Sequence, residues 1–130
     1  MQQKSVKKQA VDAAAFAGSA ASLLVDRHCE EVVLLDVSSV SQVCDFVLIG
    51  TGTSDRQMKS VADELSDLGK EMGLPAFRKS VDAGATWIVT DFITVVTHLF
   101  EPKLRTYYDL EDLWADARRV EIESGPRKSK

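Results

Sequence analysis

The 130-residue chain is predicted to fold as one mixed α/β domain, a four- or five-stranded sheet with helices packed on it. Three observations predict this. Four short runs, residues 31–38, 46–51, 86–90 and 93–100, are apolar and rich in β-branched residues. Two longer stretches carry apolar residues at steps of three and four, the spacing of one helix face. Finally, the third and fourth runs are separated only by Asp91-Phe92, which points to an antiparallel hairpin.

In chain order, Val6, Ala10, Ala13, Ala17, Ala20 and Leu24 mark a long first helix, whose alanines let it approach a neighbour closely. Residues 31–38 (EVVLLDVS) and 46–51 (FVLIGT) read as strands of one sheet, with room for one helical turn in 39–45. The second helix presents Met58, Val61, Leu65 and Leu68 on one face and ends near Gly69 or Gly73, before Pro75. A polar connection over 76–85 has space for a short edge strand around 77–80. After the hairpin, Pro102 suits a first helical position, so a short helix is expected through 104–108. Asp109 then caps a last helix with Leu110, Leu113, Trp114 and Ala117 on its face. The domain is read as residues 1–118, and 119–130 as a flexible tail.

In the strand 93–100 both alternating sets are largely apolar, Ile93, Val95 and Leu99 on one side and Val96, His98 and Phe100 on the other. Both faces therefore require cover. The first helix and another protein are equally good candidates for covering the second face.

Composition narrows the function. The chain is 45% hydrophobic and 28% charged with a formal net charge of −4, and no apolar run approaches a membrane span. An acidic chain is a poor general wrapper of nucleic acid and a better match for a basic protein. Lys4, Lys7 and Lys8 at one end and Arg127, Lys128 and Lys130 at the other read as solvated ends. Cys29 and Cys44 have no metal-ligand or redox spacing and read as reduced packing residues. With no membrane span and no secretory pattern at the start of the sequence, a cytoplasmic protein is expected.

The strand-to-helix turn Gly50-Thr51-Gly52-Thr53-Ser54 looks at first like a phosphate cradle, and a nucleotide-binding enzyme using it is the alternative function. The turn lacks the lysine and the spacing of a Walker loop, and Arg56-Gln57 breaks a GxGxxG pattern. It does fit a capping box, with Ser54 at the cap and Gln57 three residues on, while Asp55 would repel an anion at the helix start. Asp36, Asp45 and Asp91 are separated singletons rather than the paired carboxylates of a magnesium site, and His28 and His98 lack a nucleophile partner in sequence. No catalytic, cofactor or metal residue is assigned. Trp114 is spaced as core. Trp87, beside Ile88 and within reach of Asp91, fits either a core residue or the anchor of a protein contact.

Taken together, Val32 to Asp36, Asp45-Phe46-Val47-Leu48-Ile49, Gly52-Thr53-Ser54-Asp55-Arg56, Trp87 to Asp91, Val95-Val96-Thr97-His98-Leu99-Phe100, and Tyr107-Tyr108-Asp109-Leu110-Glu111 with Leu113-Trp114 resemble the Iojap-related ribosomal silencing factors. The resemblance covers roughly residues 7 to 118. It implies a fold similar to nucleotidyl transferases without their catalytic residues, and often a homodimer. It further implies binding to large-subunit ribosomal protein fourteen, where the small ribosomal subunit docks, so that subunit joining is blocked and translation slows. The partner surface it implies is Trp87, Ile88, Asp91 and His98. Two departures stand out: the loop 81–85 lacks a Glu-Gly pair before the tryptophan, and Thr97 replaces an apolar residue.

Overall fold

A computed structural model describes residues 2–104 and 114–122, with side chains described from Ala13 onward. The elements run α1 (Gln2–Asp26), β1 (Glu30–Asp36), β2 (Phe46–Thr51), α2 (Asp55–Glu71), β3 (Arg78–Val81), β4 (Trp87–Asp91), β5 (Val95–Phe100) and β6 (Arg118–Val120). They form a six-stranded sheet in the order β3-β4-β5-β2-β1-β6. Every neighbouring pair is antiparallel except β2 and β5, which run parallel. That one parallel pair requires the chain to cross over between β2 and β5, and α2 followed by the β3–β4 hairpin makes the crossing.

The sheet therefore has six strands rather than four or five. The additional strand is β6, which joins the outer edge of β1 through Leu34↔Val120, Leu35↔Arg119 and Asp36↔Arg118. Its Arg-Arg-Val sequence is too short and too charged to display an apolar period. The short edge strand foreseen around 77–80 is present as β3. The expected last helix from Asp109 begins outside the described residues, but Trp114 to Asp116 form a turn and the chain is extended by Arg118.

Both helices pack on one face. Phe16 and Leu24 of α1, with Met58 and Leu65 of α2, bury themselves against Leu34, Leu48, Ile88 and Leu99. Each such side chain contributes roughly 1.5 to 3 kcal/mol. Ala13, Ala17, Ala20 and Ala21 are fully buried, so the alanines of α1 serve the close approach that the sequence suggests. His28 closes α1 in the left-handed region, φ 72°. Thr97 also faces the helices: it is buried and its hydroxyl donates to the Thr90 carbonyl at 3.4 Å, which satisfies a polar group inside the core.

The first helix does not cover the second face. Over β1 and β2, Val33, Leu35, Val37, Val47 and Ile49 pack with Leu104, Trp114 and Ala117 from the C-terminal part of the chain. Over β4 and β5 the same face stays half-buried, at Trp87, Val89, Asp91, Val96 and His98.

Candidate binding face on the β4–β5 hairpin

The glycine turn between β2 and α2 is built for packing. A Cβ on Gly50 would lie 2.7 Å from Leu24 Cδ2, and one on Gly52 would overlap Met58, so the space above the turn is already filled. Ser54 Oγ accepts from the Gln57 N–H at 3.0 Å. Gln57 Oε1 accepts from the Thr53 N–H at 2.9 Å, one residue earlier than a strict capping box would place it. Gln57 Nε2 donates to the Arg27 carbonyl at 2.8 Å, which ties the end of α1 to the start of α2. The Gly52, Thr53 and Gln57 N–H groups, which a phosphate cradle would draw on, are thus used within the fold.

On β4 and β5 the antiparallel register pairs Trp87 with Phe100, Val89 with His98 and Asp91 with Val96. Alternation places all six on the face away from the helices. The Trp87 indole stacks on Phe100 with centroids 5.0 Å apart at 28°, and His98 lies nearly parallel to Phe100 at 6.1 Å and 8°. The indole Nε1–H donates to His98 Nδ1 at 3.2 Å. Burial pushes the His98 imidazole down to about 4, so it is neutral at physiological pH. With Nδ1 accepting, the ring proton sits on Nε2, which has no protein partner among the described residues and is left as a donor.

Trp87 is held in place by a residue that sequence reasoning missed. Asp82 Oδ1 accepts from the Thr86 N–H at 2.6 Å and the Trp87 N–H at 3.0 Å, and Oδ2 accepts from the Thr86 hydroxyl. These bonds, that from the Thr86 hydroxyl foremost, hold the Asp82 carboxyl below its ordinary range. The signal available was an aspartate opening a Gly-containing loop four residues before a threonine, a local side-chain-to-backbone motif. This loop is the one without the Glu-Gly pair, and Asp82 supplies its internal order.

Asp91 ends β4. Its Oδ1 accepts from the Ile93 N–H at 2.7 Å and supports Ile93 in the left-handed region, φ 76°, an uncommon position for a β-branched residue. Of the four residues assigned to the partner surface, the structure thus places Trp87, Asp91 and His98 on one face. Ile88 is separated from them. It is 1% exposed, on the opposite side of β4 against the helices, because adjacent strand residues point to opposite faces. Sequence adjacency to Trp87 grouped it wrongly with the surface.

No group of three His, Cys, Asp or Glu side chains that would hold a metal ion occurs among the described residues. Cys29 and Cys44 are free and buried, and burial pushes the Cys29 thiol up to about 11. What the face offers is an aromatic platform, a ring N–H donor and a carboxylate within one hairpin. These are the components of a protein-recognition surface on a small mixed-sheet α/β fold.

Comparison with known proteins agrees on the family. Residues 10–130 match the family described as "Ribosomal silencing factor during starvation". The ribosomal silencing factor RsfS of Bacillus subtilis is 35% identical over 106 residues, 82% of this chain and 90% of that protein. The RsfS of Halalkalibacterium halodurans is 39% identical over 98 residues, 75% of this chain and 84% of that protein. A crystal structure from Chromobacterium violaceum superposes with a TM-score of 0.69 at 28% identity, covering 84% of this chain and 90% of the other. The chain belongs to the ribosomal silencing factor family, which also brings it close to the chloroplastic Iojap protein of Arabidopsis thaliana, 30% identical over 83% of this chain and 45% of that longer protein.

Proposed function

We propose that this protein is a cytoplasmic ribosomal silencing factor that binds the large ribosomal subunit through large-subunit ribosomal protein fourteen. By occupying the docking site of the small subunit it blocks subunit joining and represses translation. The reading rests on family membership together with one observation, the half-buried Trp87, His98 and Asp91 face on the β4–β5 hairpin. Ribosomal proteins are basic, and an acidic chain is steered toward them while bare RNA repels it. Steric exclusion asks for no reacting group, so the factor acts by occupancy and not as an enzyme.

The test is direct. Purified protein should co-sediment with isolated large subunits, and adding it to separated subunits should lower the yield of joined ribosomes in a sucrose gradient without nucleotide being consumed. Normal joining at saturating protein would overturn the proposal.

A further inference from the structure

On the β4–β5 face, His98 holds a polar group that the fold itself does not use. Its neighbour on β4 decides which atom that is. The Trp87 indole nitrogen can only donate, so the ring nitrogen it meets at 3.2 Å, Nδ1, must be bare. A neutral imidazole with a bare Nδ1 carries its single proton on Nε2. No described residue accepts from Nε2. Nor is that atom enclosed: among the described residues the only enclosed side-chain oxygen or nitrogen atoms without a partner are the Thr90 and Thr94 hydroxyls, so Nε2 opens on the surface of a half-buried side chain.

The surroundings of this donor state what it can accept as a partner. Phe100 lies nearly parallel to the His98 ring at 6.1 Å, the Trp87 indole is 6.1 Å away at 31°, and Val89 stands directly opposite in the register. A molecule that seals so apolar a surface without offering an acceptor strands the N–H, whereas one that offers an acceptor satisfies it, a difference of about tenfold or more in affinity. Asp91 follows Val89 by two residues on β4, so it is the second diagonal neighbour of His98, on the same face and roughly 7 to 8 Å away. Its negative charge disfavours a carboxylate or a phosphate as the acceptor. An uncharged oxygen suits the place.

We propose that His98 is a specificity-determining residue of this face, whose Nε2–H donates to a main-chain carbonyl oxygen of the protein partner. The contact deepens the proposed function and rests on it. A peptide segment laid on the hairpin has to satisfy every carbonyl that it takes out of water, so the stranded donor and the incoming acceptor need each other. An imidazolium could not serve in the same way, because both its nitrogens would donate and the bond from Trp87 would be lost.

The test compares two variants of the full chain in their affinity for isolated large ribosomal subunits. His98→Asn keeps an oxygen near the Nδ1 position for the indole but reaches no further, and it should weaken binding about tenfold. His98→Gln brings an amide N–H close to the Nε2 position and should stay within about threefold of the parent. If both variants bind like the parent while Trp87→Ala binds poorly, the carbonyl contact is overturned and the functional reading stands. Equal weakening of both, per folded molecule, would make His98 a packing residue and overturns the contact as well. Binding of protein-free large-subunit RNA that His98→Asn abolishes would give the acceptor to a nucleobase and overturn a protein carbonyl. Should His98→Asn melt early, the free parent decides: long-range proton–nitrogen NMR spectra at pH 7 should show the His98 ring protonated at Nε2, and a proton at Nδ1 overturns the contact. If the parent chain itself fails to bind large subunits, contact and function fall together.

Discussion

The indole N–H of Trp87 donates to Nδ1 of His98 across two neighbouring strands, at 3.2 Å. The bond connects diagonal neighbours, since Trp87 faces Phe100 and His98 faces Val89 in the register. It fixes the ring planes before any partner arrives, and side chains held in advance lose less entropy on binding.

Trp87→Ala is expected to weaken binding to large subunits by on the order of 2 kcal/mol or more, about thirtyfold in Kd. The stack on Phe100 also supports the fold, so the same change should lower stability by about 1 to 2 kcal/mol. Denaturant melts and a binding titration on the same variant separate the two losses. A drop of about 3 to 5 kcal/mol in the melt would mean that Trp87 acts as core and would falsify its role as an anchor.

Acid should loosen the protein through His98. The folded imidazole titrates near 4, below its ordinary value of 6.5, so the unfolded chain binds a proton first as pH falls. The stabilisation is whole above about 6.5 and is lost progressively toward about 4, amounting to on the order of 2 kcal/mol. Urea melts at pH 7 and pH 4.5 should show a larger drop for the parent than for His98→Gln. Equal drops would remove His98 as the source.

Ser54→Ala removes the acceptor for the Gln57 N–H and should cost about 0.5 to 2 kcal/mol of stability while leaving ribosome binding per folded molecule unchanged. An unaltered melt together with lost binding would instead make Ser54 a contact residue.

Asp82→Ala should act on binding at a distance. The Asp82 carboxylate accepts from the Thr86 and Trp87 N–H groups and the Thr86 hydroxyl, so its loss loosens the loop that aims the indole. Binding should weaken several-fold, and Asp82→Asn, which retains one oxygen acceptor, should recover part of it. Tryptophan fluorescence of the free protein should shift in Asp82→Ala. Parent-like affinity for that variant would show that the loop orders itself without Asp82.

Elements with strong periods were legible in the sequence: α1 and α2 from their apolar spacing, β1, β2, β4 and β5 from their β-branched runs. β6 was not, because three residues with two arginines gain their place from the open edge of β1 rather than from their own pattern. The candidate face was read in part. Trp87, Asp91 and His98 were found, but placing Ile88 required strand alternation to be applied residue by residue. Asp82 was overlooked because its role lies in local hydrogen bonds that leave no trace in hydrophobicity. The cover over Val33 and Val47 depends on Leu104 and Trp114, far apart in sequence, and no local pattern reveals such a contact.

The single parallel seam between β2 and β5 also sets the order in which the sheet is assembled. Two antiparallel units, β1–β2 and β3–β4–β5, each assemble from nearby residues, but they join only when Phe46 to Thr51 meet Val95 to Phe100 in register. Contacts of such long sequence separation form late, after the cost of closing the intervening chain has been met. Phe100, on which Trp87 stacks, lies at the far end of that seam. Pulse-labelled hydrogen exchange during refolding should therefore protect the β2–β5 amides no earlier than those of the β4–β5 hairpin, and protection in the reverse order would exclude this sequence of events. A nascent chain consequently lacks the finished aromatic platform until the whole of β5 has left the exit tunnel, which delays any action of the protein on the ribosome that is making it.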